Sequence, residues 1–97
     1  MHTVKNINDL VVIFNQHDLF RLYGLKRIGV FGSFARGEKF NDIDLFIEDD
    51  IEYKQVLKLK ELLEKKTGLQ VDIMQKKYAE PVILYRALKD MRYAAAS

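Results

Sequence analysis

The fold of this chain is decided by two neighbouring segments, Gly32-Ser33-Phe34-Ala35-Arg36-Gly37 and Asn41-Asp42-Ile43-Asp44-Leu45. The first follows residues 26–31, where Ile28, Val30 and Phe31 predict a strand, and the second alternates acidic with apolar residues. In a strand, residues two apart project from the same face, roughly 7 Å from each other. We therefore expect Asp42 and Asp44 to share one face of a strand, with the apolar residues of the segment on the other.

A third acidic residue lies in a later predicted strand, residues 69–75. Leu69, Val71 and Ile73 point to one face of that strand, and Asp72 points to the other. If the two acidic strands are neighbours in register, three carboxylates meet on one patch of sheet. Such a cluster repels itself at neutral pH and calls for cations. Because its ligands are all oxygens, it favours Mg²⁺ or Mn²⁺ over zinc.

The glycine-rich segment supplies groups that suit a phosphate. Gly32 allows the backbone to approach a bulky anion closely, and the N–H groups that follow it can point at phosphate oxygens. Ser33 adds a hydroxyl donor. Arg36 is a charged partner either for phosphate or for the neighbouring carboxylates. A phosphate cradle followed by an acidic metal site is the equipment of phosphoryl or nucleotidyl transfer.

The remaining pattern places these segments in an α/β domain. Helical spacing predicts helices over residues 6–14, 19–23, 51–66 and 81–93, with strands over residues 26–31, 42–48 and 69–75. The long third helix predicts a parallel, right-handed connection between the last two strands. The first two strands are joined too briefly for a crossover and are expected to be antiparallel. The sheet is therefore predicted to be small and mixed, with three or four strands flanked by helices.

Composition limits the class of protein. At 97 residues we expect one domain, residues 1–97, and the longest apolar runs are too short to cross a bilayer. No signal peptide is recognised at the N-terminus, and the absence of cysteine suits the cytoplasm. A net charge of +2 gives no reason to expect direct nucleic-acid binding. Seven of the fourteen acidic residues lie between Glu38 and Glu52 against one base, Lys39, which makes functional sense mainly if divalent cations bind there.

The two deciding segments resemble a known signature. Gly32-Ser33, Arg36-Gly37 and Asn41-Asp42-Ile43-Asp44-Leu45 are similar to the nucleotidyltransferase pattern G-S-x-A-R-G followed by S-D-x-D-L, with Asp72 as the third carboxylate. Over its whole length the chain resembles the minimal nucleotidyltransferases (MNT) of the DNA polymerase β superfamily, small stand-alone proteins of prokaryotes. The resemblance implies a polymerase β-like fold. Asn41 departs from the usual serine, but both side chains hydrogen-bond locally.

The resemblance also implies roles for individual residues. It places Gly32 and Ser33 at the triphosphate and makes Asp42 and Asp44 ligands of two metal ions, Mg²⁺ or alternatively Mn²⁺. Asp72 lies at the catalytic metal, where it helps to activate the attacking hydroxyl. Members of this family are typically antitoxins that adenylylate a HEPN-domain toxin. The resemblance thus implies transfer of AMP from ATP, or of another nucleoside monophosphate, to a hydroxyl of such a partner.

Two other functions fit the same motif. One is a non-catalytic antitoxin that silences a toxin by docking alone, and the other is one subunit of a two-chain transferase acting on a small molecule. The chain has no room for the helical domains that hold the acceptor in larger relatives, so we expect another molecule, in an oligomer with this chain, to present it. The acceptor, the preferred base and the oligomeric state are not determined by the sequence.

Several other residues are interpreted as structural. The acids Glu48, Asp49 and Asp50 are expected to begin the helix at Ile51. Solvent, an acidic partner or RNA could face the five bases that follow Gln75, and the tyrosines of this region are interpreted as packing residues. The bases are Lys76, Lys77, Arg86, Lys89 and Arg92, and the tyrosines are Tyr78, Tyr85 and Tyr93. His2 and His17 are expected to lie outside the site.

Overall fold

The computed structural model describes residues 4–96, so His2 lies outside the described residues. Its helices are α1 (Ile7–Gln16), α2 (Leu19–Leu22), α3 (Gly32–Ala35), α4 (Tyr53–Thr67) and α5 (Pro81–Asp90). Its strands are β1 (Ile28–Phe31), β2 (Asp42–Ile47), β3 (Gln70–Gln75) and β4 (Arg92–Ala94). A 3-10 turn, Lys76–Tyr78, joins β3 to α5. Across residues 4–96, no helix is both long enough and apolar enough to cross a membrane.

The strands form a mixed sheet in the order β3-β2-β1-β4. β1 and β2 are antiparallel and are joined through the short helix α3, whereas β2 and β3 are parallel and are joined by the long helix α4. The predicted α/β class and both predicted strand directions are confirmed. The parallel pair is in register with Asp44 opposite Asp72.

One face of the sheet carries the hydrophobic core. The strands contribute aliphatic residues that are fully buried, Ile28 and Val30 from β1, Ile43, Leu45 and Ile47 from β2, and Val71 from β3. Helices α1, α2 and α4 cover this face, and the α4 contacts come from Leu59 and Leu63, which are one turn apart. Burial of aliphatic groups at about 25 cal/mol per Å² makes this face the main source of stability.

The opposite face carries the acidic residues and is covered only in part. Phe46 of β2 is buried there, beside Gly29 of β1 and Met91. A Cβ at Gly29 would lie 2.5 Å from the Met91 Sδ and 3.1 Å from the Phe46 Cβ. Gly29 is therefore required for the segment after α5 to pack closely on β1, next to the acidic part of the face.

The end of the chain differs from the prediction. The last helix was expected to reach Tyr93, but it ends at Asp90, and Met91 has extended backbone angles. Arg92–Ala94 instead pairs with β1, because that strand would otherwise leave an unpaired edge. The Arg27 guanidinium lies 3.6 Å from the centroid of the Tyr93 ring and holds the added strand in place.

The acids after β2 do not begin helix α4, which starts at Tyr53 with Glu52 as its cap. Glu48, Asp49 and Asp50 instead make hydrogen bonds and ion pairs with residues that are distant in the sequence. Asp49 accepts a hydrogen bond from the Lys26 backbone N–H at 3.0 Å. Glu48 pairs with Arg27 at 2.7 Å, and Asp50 pairs with Lys77 at 2.6 Å. The charges of Glu48 and Asp50 are thus neutralised by bases from other elements, and Asp49 is held by a backbone N–H, so none of the three depends on the helix dipole.

Candidate metal and nucleotide site

Three carboxylates meet at the beginning of the parallel strand pair. Asp42 and Asp44 project from β2, and Asp72 projects from β3 directly opposite Asp44. One carboxylate oxygen from each residue lies within 4.8 Å of the other two, and all three side chains are half-buried. Within residues 4–96 no lysine or arginine forms an ion pair with any of them. The convergence predicted from the alternating pattern is present.

The electrostatics of this cluster act mainly on Asp44. Burial raises the pKa of the Asp44 carboxyl above its ordinary value, and the negative charges of Asp42 and Asp72 raise it further. All three effects oppose the ionised form, and a bound cation would reverse the balance by offsetting the repulsion. An oxygen-only set at this spacing fits a hard divalent cation.

The backbone at Gly32 is shaped around the same cluster. Its φ of +76° lies in the left-handed region that favours glycine. A Cβ built on it would lie 2.5 Å from the Asp44 Oδ2. The absence of a side chain therefore lets the glycine-rich segment, residues 32–37, approach the Asp44 carboxylate directly. A ligand that binds this segment, which we call the glycine loop, also lies beside Asp44.

Ser33 follows as the second residue of helix α3 and is half-buried. Its hydroxyl makes no hydrogen bond to another group in residues 4–96, whereas its carbonyl accepts a hydrogen bond from the Glu38 N–H at 3.0 Å. Gly32 is thus next to the acidic cluster, and Ser33 follows it in the chain with a hydroxyl that is available to a ligand.

An aromatic pair fixes the loop that connects the two parts of the site. The Phe34 and Phe40 rings meet edge to face with centroids 4.7 Å apart, and Phe34 is buried in the core. Because Phe40 comes two residues before Asp42, this contact determines where β2 begins relative to helix α3. The glycine loop and the first carboxylates are therefore held by the same hydrophobic anchor.

Arg36 occupies a different environment from the other predicted residues. Its Nη1 donates to the Asp90 Oδ2 at 2.7 Å, and its Nε lies 3.0 Å from the Glu38 Oε2. These two acids raise the pKa of the Arg36 guanidinium above its ordinary value. In this structure Arg36 therefore ties the glycine loop to the end of α5 and does not pair with the three carboxylates.

A cleft beside Gly32 contains residues that the sequence did not identify. It has a volume of about 300 Å³ and is lined by Phe31, Gly32, Ile83, Arg86, Ala87 and Asp90. Helix α5 supplies four of these six. The signal in the sequence was the apolar content of α5, whose residues Val82 to Tyr85 are all apolar or aromatic and cannot all share one buried face.

Two of the three tyrosines interpreted as packing residues, Tyr78 and Tyr85, are largely exposed, whereas Tyr93 packs against Arg27. Tyr78 and Tyr85 have about two thirds of their surface exposed, at 69% and 65%, and Tyr93 has 40% exposed. Leu88 is also exposed, and Ala87 is the buried residue of this helix. The reason is geometric, because the short side chain of Ala87 lets α5 lie close to the sheet while larger neighbours point outward.

Comparison with known proteins supports the same chemistry. The family model described as polymerase beta, nucleotidyltransferase matches residues 8–93. A protein of Thermococcus cleftensis named protein adenylyltransferase MntA is 32% identical over 97 residues, which cover 96% of this chain and 97% of the relative. A protein of Methanocaldococcus jannaschii is 38% identical over 82 residues, covering 76% of this chain and 82% of the relative.

Solved structures share the fold. A toxin–antitoxin structure with AMP-PNP superposes with a TM-score of 0.69 at 21% identity, covering 86% of this chain and 72% of the solved chain. A structure of a mutant of the toxin–antitoxin MntA-HpeT gives a TM-score of 0.67 at 20% identity, with 86% and 73% coverage. At this identity the likeness concerns the fold, a polymerase β-like arrangement of helices on a mixed sheet.

Proposed function

The chain belongs to the polymerase beta nucleotidyltransferase family, and from this membership we propose that it transfers AMP from ATP, or another nucleoside monophosphate from its triphosphate, to a hydroxyl of a partner protein. The observation that carries the proposal is the meeting of Asp42, Asp44 and Asp72 within 4.8 Å beside a glycine loop. The adenylyltransferase name of a relative that matches nearly the full length of the chain supports AMP and a protein acceptor. From the signature that the chain shares with the minimal nucleotidyltransferases, we propose that the partner is a HEPN-domain toxin and that the chain is its antitoxin.

The carboxylates are proposed to hold Mg²⁺, as two ions, with Mn²⁺ as a substitute. When bound, these ions neutralise the charge that develops on the attacking and leaving oxygens. Asp42 and Asp44 are proposed as ligands of both ions. Asp72 contributes from the neighbouring strand and is proposed to help activate the acceptor hydroxyl.

The glycine loop is proposed to bind the triphosphate. The Gly32 backbone and the Ser33 hydroxyl would donate hydrogen bonds to phosphate oxygens, a type of contact that strengthens when the acceptor is charged. In the reaction the acceptor oxygen forms a bond to the α-phosphorus, and the bond from that phosphorus to the bridging oxygen breaks. The hydroxyl loses its proton and pyrophosphate leaves.

The proposal is tested by expressing the chain together with its proposed partner, a HEPN-domain toxin, and measuring the intact mass of the toxin. We expect a mass increase of one or more AMP units with the wild type. Asp72→Asn should give at least a hundredfold slower transfer, because loss of a ligand charge commonly costs several kcal/mol of transition-state stabilisation.

The same experiment distinguishes catalysis from docking alone. The Asp72→Asn chain should keep its fold, which circular dichroism verifies, and should leave the toxin unmodified and active. An unmodified toxin that is nevertheless silenced by both the wild type and Asp72→Asn would show that the chain acts by binding, and the proposed transfer would be wrong.

A further inference from the structure

Helix α5 exposes an unusual amount of apolar surface. Of its ten residues only Ala87 is buried, whereas four large apolar residues have about half or more of their surface exposed. Together with Tyr78 in the preceding turn they form what we call the α5 surface: Tyr78 (69% exposed), Val82 (57%), Ile83 (53%), Tyr85 (65%) and Leu88 (48%). A helix that is apolar on several sides is normally covered, and a contiguous exposed apolar patch commonly marks an interaction site.

The α5 surface is continuous with the proposed active site. Ile83 belongs both to the surface and to the cleft beside Gly32. Gly32 also lines this cleft, and it lies so close to Asp44 that a single added carbon would be 2.5 Å from its Oδ2. A molecule seated on the α5 surface could therefore extend a side chain through the cleft and reach the carboxylates.

The charges around the surface are mainly positive. Lys76 and Arg86 are exposed, and the Lys89 Nζ lies 4.9 Å from the centroid of the exposed Tyr85 ring. The acid at the end of the helix, Asp90, is already neutralised by Arg36 at 2.7 Å. Glu80, in front of the helix, is the acidic residue of this segment that makes no ion pair within residues 4–96. The rim thus favours a partner with acidic side chains.

We propose that the α5 surface is the docking site for the protein acceptor, and that the acceptor presents an apolar patch with an acidic rim beside the hydroxyl that is modified. The identity of the occupant rests on the proposed function. The position of the surface does not, because it follows from exposure, continuity with the cleft and charge. Docking on α5 sets the acceptor hydroxyl next to Asp44 and Asp72 without any further domain.

The test measures binding in the absence of nucleotide, with the proposed HEPN-domain toxin as the probe. Val82→Glu and Tyr85→Glu each place a charge in the middle of the surface and should weaken binding at least about tenfold by calorimetry. Leu57→Glu is the matched control, since Leu57 is an exposed leucine (42%) on α4, away from the site. It should leave the affinity unchanged. Lys89→Glu should weaken binding and reduce its salt dependence.

A parallel measurement monitors the fold and the nucleotide site. The stabilisation of each variant by ATP with Mg²⁺, read as a melting-temperature shift, should equal that of the wild type. If a glutamate variant loses this shift, the serine variant at the same position, Val82→Ser or Tyr85→Ser, replaces it in the binding measurement. These variants remove apolar area without adding charge, and their affinity for the toxin then decides whether the α5 surface is the docking site.

The outcomes separate the two proposals. Wild-type affinity in the α5 variants would overturn the docking site, even if AMP transfer is observed. Selective loss of binding in these variants with no AMP transfer by the wild type would leave the docking site standing and reject the proposed function. If sedimentation shows that the wild type self-associates through α5 while toxin affinity is insensitive to the variants, the surface belongs to a second copy of the chain and the proposal is wrong.

Discussion

The two faces of strand β2 differ in what they contribute to the protein. Ile43, Leu45 and Ile47 are fully buried against the helices, whereas Asp42 and Asp44, which alternate with them, are half-buried and project from the other face into the site. Successive residues of one strand therefore serve stability and chemistry in turn. Because the two faces share one backbone, the packed face also determines the spacing of the carboxylates.

This division predicts that substitutions on the two faces fail in different ways. A change on the packed face should lower the free energy of unfolding and leave the folded molecules competent to bind nucleotide. A change on the acidic face should leave the fold intact, or even stabilise it, and remove the binding of metal and nucleotide. The comparison can be tested by pairs of variants that lie within a few residues of each other.

The largest effect is expected on the packed face. Leu45→Ala removes a fully buried side chain and leaves a cavity, which should lower the free energy of unfolding by about 2–5 kcal/mol. Urea denaturation measures this loss. At a temperature where the variant remains folded, its affinity for ATP with Mg²⁺ should match the wild type. A variant that stays stable but loses nucleotide binding would show that the two faces are not separate.

A pair of glycines tests how closely the loop approaches the acidic face. Gly32 and Gly37 have similar positive φ angles, +76° and +74°, so alanine strains the backbone in both. Only at Gly32 would the new carbon also meet Asp44, at 2.5 Å from its Oδ2, because nothing lies within 4 Å of a carbon at Gly37. Both variants should lose about 1–2 kcal/mol of stability from strain.

Nucleotide binding should distinguish the two glycine variants. We expect Gly32→Ala to weaken binding of ATP with Mg²⁺ at least about tenfold, measured by calorimetry, because Asp44 must move. Gly37→Ala should bind ATP as the wild type does. Equal losses in both variants would mean that backbone strain, and not the contact with Asp44, controls the site.

Most of the fold could be predicted because its signals are local. Alternation in residues 42–48 and 69–75 identified two strands, and the helical spacing between them required a parallel pair. The last strand could not be predicted in this way. Arg92–Ala94 is extended because it pairs with the edge of β1 and because Tyr93 packs against the Arg27 side chain. Both partners lie more than sixty residues earlier in the sequence.

The site shows the same limit. The convergence of Asp42, Asp44 and Asp72 followed from strand period and register, which the sequence expresses directly. The partner of Arg36 could not be predicted in this way. The sequence allowed either a phosphate or the neighbouring carboxylates, and the structure pairs Arg36 with Asp90 at the end of α5. The exposed apolar surface of α5 could not be predicted either, because the spacing of apolar residues indicates a helix without showing which of them are buried by neighbouring elements.

A smaller effect is expected where the loop contributes a single hydrogen bond. Ser33→Ala should weaken ATP binding by about 1 kcal/mol or slightly more, as for a hydrogen bond to a charged group. The stability of the chain should not change, because the hydroxyl has no partner within residues 4–96. Calorimetry and thermal denaturation check the two parts. Lower stability with unchanged ATP affinity would make Ser33 a turn residue only.

The smallest effect concerns the cost of the acidic face to the metal-free fold. The pKa of the Asp44 carboxyl in the folded chain is raised above its ordinary value of 3.8. The largest cause is burial, followed by the negative charges of Asp42 and Asp72. The folded state therefore binds this proton more tightly than the unfolded state does, and stability decreases as pH rises from the ordinary value through the raised one. Asp44→Asn removes that loss. With EDTA near neutral pH we expect the variant to melt a few degrees higher than the wild type.

The difference should shrink as the pH is lowered and become small below the ordinary value of 3.8, because the wild-type carboxyl is then protonated in both states. Adding Mg²⁺ with ATP should reverse the order, since only the wild type gains stability from a ligand that binds the folded state. Calorimetric melting curves over this pH range, with and without the ligands, test both statements. A variant that is less stable than the wild type in EDTA at every pH would show that Asp44 supports the fold. The division between the two faces of β2 would then not hold at its central residue.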